Sequence, residues 1–112
     1  MKNYLKMLKK TKSKAEKFIQ YINILSEDTR LNVWHLAILV AILQLGYKQR
    51  QKRLISVSRS RIMSLSHVQT LPTYHKYFNE LQNFGYIMYT PSYHPGYRSV
   101  VKLTIKARKA GF

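Results

Sequence analysis

The chain has no cysteine, four acidic residues, four glycines and three prolines among its 112 residues, and each shortage removes a class of explanation. Without cysteine there are no disulfides and no thiolate metal sites, which fits a cytosolic protein. The acids, Glu16, Glu27, Asp28 and Glu80, are too sparse for the placed carboxylates that general acid–base chemistry or metal-assisted hydrolysis needs. The histidines, His35, His67, His75 and His94, are scattered, and the glycines form no phosphate-cradling loop. Long apolar runs are missing too. The unbroken stretch Leu36–Leu43 is far shorter than the ~20 residues that span a bilayer. The basic start MKNYLKMLKKTK leads into no uninterrupted apolar segment, so no signal peptide is expected. The sequence therefore argues against an enzyme, a cofactor or metal site, a small-molecule substrate and a membrane protein.

What it has in excess is positive charge. Lysine and arginine number 20 against those 4 acids, a formal net charge of +16. In a chain this small the self-repulsion is large, and a phosphate backbone or an anionic membrane relieves it. A hydrophobic content of 46% is ample for the single core of one small domain.

Within residues 1–28, Tyr4, Leu8, Thr11, Ala15, Phe18, Ile22 and Leu25 recur at alternating spacings of four and three, with Lys2, Lys6, Lys9, Lys10, Lys12, Lys14 and Lys17 around them. The pattern predicts an amphipathic basic helix that packs on its own domain or forms a homodimer contact. A membrane-surface role suits it poorly, because Thr11 and Ala15 in mid-stripe bury little area. Residues 26–30 read as a connector. LNVWHLAILVAILQLGY then predicts a buried helix with Asn32 as N-cap, His35 satisfied near its start, and a stop at Gly46 with Lys48 and Arg50 beyond it. Residues 46–53 read as a basic loop, either a solvated linker or a phosphate contact.

The centre of the chain is more specific. Leu54 to Val57 reads as a short strand, Ser58 as a helix cap, and the next residues as a brief helix with Ile62 and Leu65 turned inward; Val68 plugs the following turn. In the helix from Leu71 to Phe84, Leu71, Tyr74, Phe78 and Leu81 share one face, Thr70 is the N-cap, Pro72 sits in the first turn, and Gly85 supplies a left-handed end. Tyr86 to Thr90 and Arg98 to Thr104 flank the turn-forming PSYHPGY and read as a two-stranded hairpin. Val101, Leu103 and Ile105 alternate with Lys102, Thr104 and Lys106, so one face packs and the other is wet.

Local electrostatics single out the terminus at Ser58. Helix N-termini favour acidic neighbours, yet this first turn carries Arg59 and Arg61, an arrangement that suits a docked phosphate better than local stability. Ser58 and Ser60 offer hydroxyls beside them. On the longer helix the face opposite the core presents Thr73, Lys76 and Tyr77 near the N-terminus, with Gln69, Thr70 and His75 alongside. Glu80 is expected to pair with a nearby base or to orient one of the arginines.

ISVSRSRIMSLS, TYHKYFNELQNFGYI and YTPSYHPGYRSVVKL resemble segments of the small bacterial winged helix-turn-helix DNA-binding proteins often encoded on mobile genetic elements. The resemblance spans about residues 31–103. It implies a winged helix-turn-helix fold, mainly α with a small β-hairpin wing, for a DNA-binding domain of residues 29–105; the patterns at either end add an extra N-terminal helix in residues 1–28 and a basic tail in residues 106–112. It also implies a bacterial protein that binds double-stranded DNA; the role expected is that of a cytoplasmic, nucleoid-associated transcriptional regulator that inserts the 71–84 helix in the major groove. The alternatives are an accessory factor for excision, mobilisation or replication of a mobile element, and a protein-recognition module that leaves the charge unexplained. In such proteins the wing lies along the minor groove or backbone, which nominates His94, Tyr97 and Arg98. A homodimer would set two recognition helices about 34 Å apart.

Overall fold

A computed structural model describes residues 13–51 and 53–104. They form four helices and a three-stranded antiparallel sheet: α1 (Lys14–Glu27), α2 (Val33–Gln49), β1 (Ile55–Val57), α3 (Arg59–Ser66), α4 (Leu71–Asn83), β2 (Ile87–Thr90) and β3 (Ser99–Leu103). The expectations for Tyr4, Leu8, Thr11, Ile105 and the basic tail fall outside the described residues. No described helix is long and apolar enough to cross a membrane.

Ser13 caps α1 by accepting from the Glu16 N–H at 3.1 Å, and Glu16 favours the same terminus by its charge. The buried face follows the predicted stripe only in part. Leu25 enters the core and Ile22 packs against it, as the spacing predicts, but Tyr21 from beside the stripe enters too, while Ala15 and Phe18 are exposed. Ala15 offers little area, so burial of the large Tyr21 ring outweighs it and sets the rotation of the helix. Burial pushes the Tyr21 hydroxyl pKa up to about 12.

The start of α2 is a reciprocal cap. Asn32 Oδ1 accepts from the N–H groups of Trp34 and His35, and the Asn32 N–H donates to His35 Nδ1 at 2.9 Å. A backbone N–H can only donate, so Nδ1 is unprotonated and the ring carries its proton on Nε2, 2.9 Å from Glu80 Oε1. Glu80 thus pairs with buried His35, tying α2 to α4, rather than with an arginine or lysine.

The expected stop at Gly46 is displaced. The helix continues to Gln49 and ends at Arg50, whose N–H bonds to the Tyr47 carbonyl at 3.1 Å and whose left-handed φ of 54° turns the Gln51 N–H onto the Gly46 carbonyl at 2.9 Å. The supposed basic loop is therefore helical in its first half. Gly46 serves close approach instead: a Cβ there would stand 2.8 Å from the Gln51 carbonyl oxygen and 2.8 Å from Ile55 Cδ1.

That approach seats β1. Its outer edge is completed by a side chain, since Gln49 Nε2 donates to the Ser56 carbonyl at 2.7 Å and Gln49 Oε1 accepts from the Ser56 N–H at 2.8 Å. On its other edge β1 pairs with β3, giving the order β1-β3-β2. The expected two-stranded hairpin is thus the larger part of a three-stranded sheet, and Leu54 lies exposed outside the strand. Val101, at the centre, pairs with Ile55 on one side and Tyr89 on the other.

In α4, Tyr74, Phe78 and Leu81 are buried as their spacing predicts, and Gly85, at φ 83°, ends the helix with the Tyr86 N–H bonded to the Leu81 carbonyl. Leu71 departs from expectation at 44% exposure, because the first residue of the helix lies beyond the edge of the core. Thr70 occupies the cap position without capping; its hydroxyl donates to Thr73 Oγ1. At the other end of the molecule, Asp28 accepts from Arg30 Nε and Nη2 at 2.9 and 2.7 Å and from the Tyr86 hydroxyl. The Arg30 guanidinium, then the Tyr86 hydroxyl, hold the Asp28 carboxyl well below the usual carboxylate range.

Two consequences are measurable. Gly46→Ala forces β1 away from α2 and is expected to cost about 1–3 kcal/mol in urea unfolding. Because the folded Asp28 pKa lies below its unfolded value near ~4, its contribution is complete above that value and is lost as pH falls toward the folded one. Asp28→Asn is therefore expected to destabilise the protein at pH 7 and to unfold with a smaller deficit from the parent at pH 3.

Candidate nucleic-acid interface

The register of β1 on β3 builds the site. Val57 pairs with Ser99, so the turn from β1 into α3 and the residue before β3 are neighbours across the strand pair. Ser58, in extended conformation, caps α3 by accepting from the Arg61 N–H at 3.2 Å. The result is an open cleft of about 480 Å³ between the start of α3 and the hairpin, lined by Ser58, Arg59 and Arg61 on one side and Tyr97, Arg98 and Ser99 on the other.

Three guanidinium groups and a helix N-terminus thus share one concavity, with no acid on its walls. The acids are spent elsewhere. Glu16 and Glu27 belong to α1, Asp28 is bound by Arg30, and Glu80 by His35. Among the described residues none of the three cleft arginines is in an ion pair. The arrangement suits an anion with several acceptor oxygens, and guanidinium forks match a phosphate well. A smaller cleft of about 220 Å³ on the far side of Arg61 is lined by Lys48, Ser60 and Ser64, so the helical end of the supposed loop contributes a cation here.

The remaining sequence candidates form a second group. Gln69, Thr70, His75 and Lys76 are exposed around the start of α4, and Thr73 is half-buried. Tyr77 does not stand on the open face. It is half-buried at the seam of α2 and α4, stacked on Trp34 at a ring-centroid distance of 6.2 Å and set edge-on to His35 at 4.9 Å, with Lys76 Nζ 5.2 Å from its ring centre. Three residues beyond Tyr74, it widens the buried arc of the helix. The open face carries Asn79 instead, three residues beyond Lys76 and four beyond His75; that spacing was the available signal for it.

At the hairpin tip Gly96 takes φ 98°, and the Tyr97 N–H bonds to the His94 carbonyl at 3.2 Å. The His94 and Tyr97 rings meet edge to face with centroids 6.4 Å apart. Tyr97 and Arg98 line the cleft, and exposed His94 lies beyond it.

Comparison of the chain with protein-family models, with curated proteins and with solved structures finds no match. Its functional reading rests on its own residues and geometry.

Tyr77→Ala is expected to lower stability by about 2 kcal/mol in chemical denaturation, through its lost contacts with Trp34 and His35. Lys76→Ala, on the exposed face, is expected to change stability by less than about 0.5 kcal/mol.

Proposed function

We propose that the protein is a winged helix-turn-helix protein that binds double-stranded DNA in a sequence-specific manner and acts as a transcriptional regulator. One observation carries the reading: the acid-free cleft in which the β1–β3 register brings Arg98 beside Arg59 and Arg61. From α2 onward the order helix, strand, helix, helix, strand, strand, with β3 central in the sheet, supports it, being the order expected of that fold class. The net charge of +16 supplies the long-range attraction to a polyanion.

In this reading the cleft grips backbone phosphates and fixes the protein on the duplex, while α4 enters the major groove. Lys76 and Gln69 then offer donors to guanine and adenine edges, and the Thr73 methyl group meets thymine. Asn79 adds an amide that can pair with adenine. The hairpin is the wing, with Tyr97 and His94 beside the minor groove or backbone. An accessory role in excision or mobilisation uses the same contacts, and the genomic position of the bound site distinguishes it from regulation.

The test is selection of genomic fragments by the purified protein at about 0.15 M salt, where non-specific attraction is partly screened. Enrichment of one short duplex motif is expected. Uniform retention would mean charge-driven packaging without sequence preference, and no retention would overturn DNA binding altogether. Arg59→Ala and Arg98→Ala are each expected to reduce the slope of log affinity against log salt by about 0.9, the value for one lost phosphate contact. Lys76→Ala should reduce discrimination between sites, by about 1–3 kcal/mol if it reads a base.

A further inference from the structure

α2 is uncharged on every face as far as Tyr47, with His35 buried and Gln44 exposed beside the open side. From Val33 to Tyr47 it contains no lysine, arginine, aspartate or glutamate, in a chain of net charge +16. A largely apolar helix is normally covered all round. Among the described residues one side is covered: Ile38, Leu39, Ala41, Ile42 and Leu45 fill the chain's own core. On the other side Val33, Val40 and Tyr47 are 71%, 44% and 78% exposed.

Those three residues are spaced by seven, so they run in nearly one line along the helix. Leu36 and Leu43, three residues after each valine, are half-buried along one flank of that line. The stripe is a heptad seam, with Val33, Val40 and Tyr47 in the first core position and Leu36 and Leu43 in the second. Valine in the first position with leucine in the second is the combination that favours parallel two-stranded packing.

We infer that this seam is a dimer contact, α2 of one protein packing in parallel against α2 of a second copy. One consideration selects a second copy over another partner: a heptad seam is complementary to itself, since each knob and each hole recurs on an identical helix. Two chains of +16 repel each other, which weakens the contact, although the stripe itself opposes no charged side chains. Helix α1, for which the sequence offers packing on its own domain or a homodimer contact, turns Tyr21 and Leu25 into its own core. The seam is short: fifteen residues of helix run about 22 Å, so the contact falls below the ~800 Å² per partner of a standard stable interface. The dimer is accordingly weak and reversible. It does not depend on DNA binding.

The absence of cysteine makes the contact directly testable in the full chain. Sedimentation equilibrium without DNA, from about 1 to about 100 μM, is expected to show a reversible monomer–dimer equilibrium. Val40→Lys puts a charge on the seam at an exposed position, and its mass should fall to that of a monomer with an unchanged circular dichroism spectrum. Under mild oxidation Val40→Cys and Val33→Cys should each form a disulfide-linked dimer, roughly tenfold or more faster than Ile19→Cys on the exposed side of α1, because a paired seam holds its thiols at high effective concentration. A monomer at every concentration, a dimer that survives Val40→Lys, or faster linking through Ile19→Cys would overturn the inference. Linking at position 40 without linking at 33 would overturn the parallel arrangement.

Discussion

Three residues of β1 fix where the hairpin stands beside α3. Their pairing with β3 sets Val57 opposite Ser99, and from that register follow the position of Arg98, the mouth of the cleft and the direction in which the hairpin leaves the body. The strand is too short to hold itself. It depends on Gly46, which lets α2 come within reach of Ile55, and on Gln49, whose amide satisfies both backbone groups of Ser56. An edge strand completed in this way has no free ladder at that residue for another chain to join.

A second constraint is the disposal of negative charge. Acids are few, and those near the core serve the fold. Asp28 joins the α1–α2 connector to Tyr86 at the start of the hairpin, and Glu80 meets the buried imidazole of His35. Both pairs lie outside the cleft of Arg59, Arg61 and Arg98. The field around that cleft is therefore set by arginine and by the α3 terminus, with no acidic side chain among the described residues on its walls.

Helix α2 links the two themes. One side forms the core against β1, α3 and α4, and its first turn holds the histidine that fixes Glu80. The opposite side is uncharged and open. A contact there would join two copies through the most apolar element while leaving the arginine cleft, lined by α3 and hairpin residues, unobstructed by α2 side chains.

Much of this architecture is written in local pattern. The caps at Asn32 and Ser58, the plug at Val68, the left-handed Gly85 and the buried Tyr74, Phe78 and Leu81 follow from spacing and side-chain chemistry, which act over a few residues. The arginines of the first α3 turn were equally visible, because they contradict what a helix terminus prefers. Tertiary structure decided the rest. Gly46 has the composition of a stop, but a steric demand from Ile55 makes it a contact point; Tyr77 belongs to the seam because Trp34 and His35 lie beside it; Tyr21 displaces Ala15 because its ring buries more area. Arg98 reaches Arg59 and Arg61 only through a strand pairing that spans more than forty residues of chain. The sequence by itself determined which residues carry charge and which turns form, since those properties are local. Which cations share a cleft, and which apolar face stays open, depended on contacts between distant segments that no local pattern encodes.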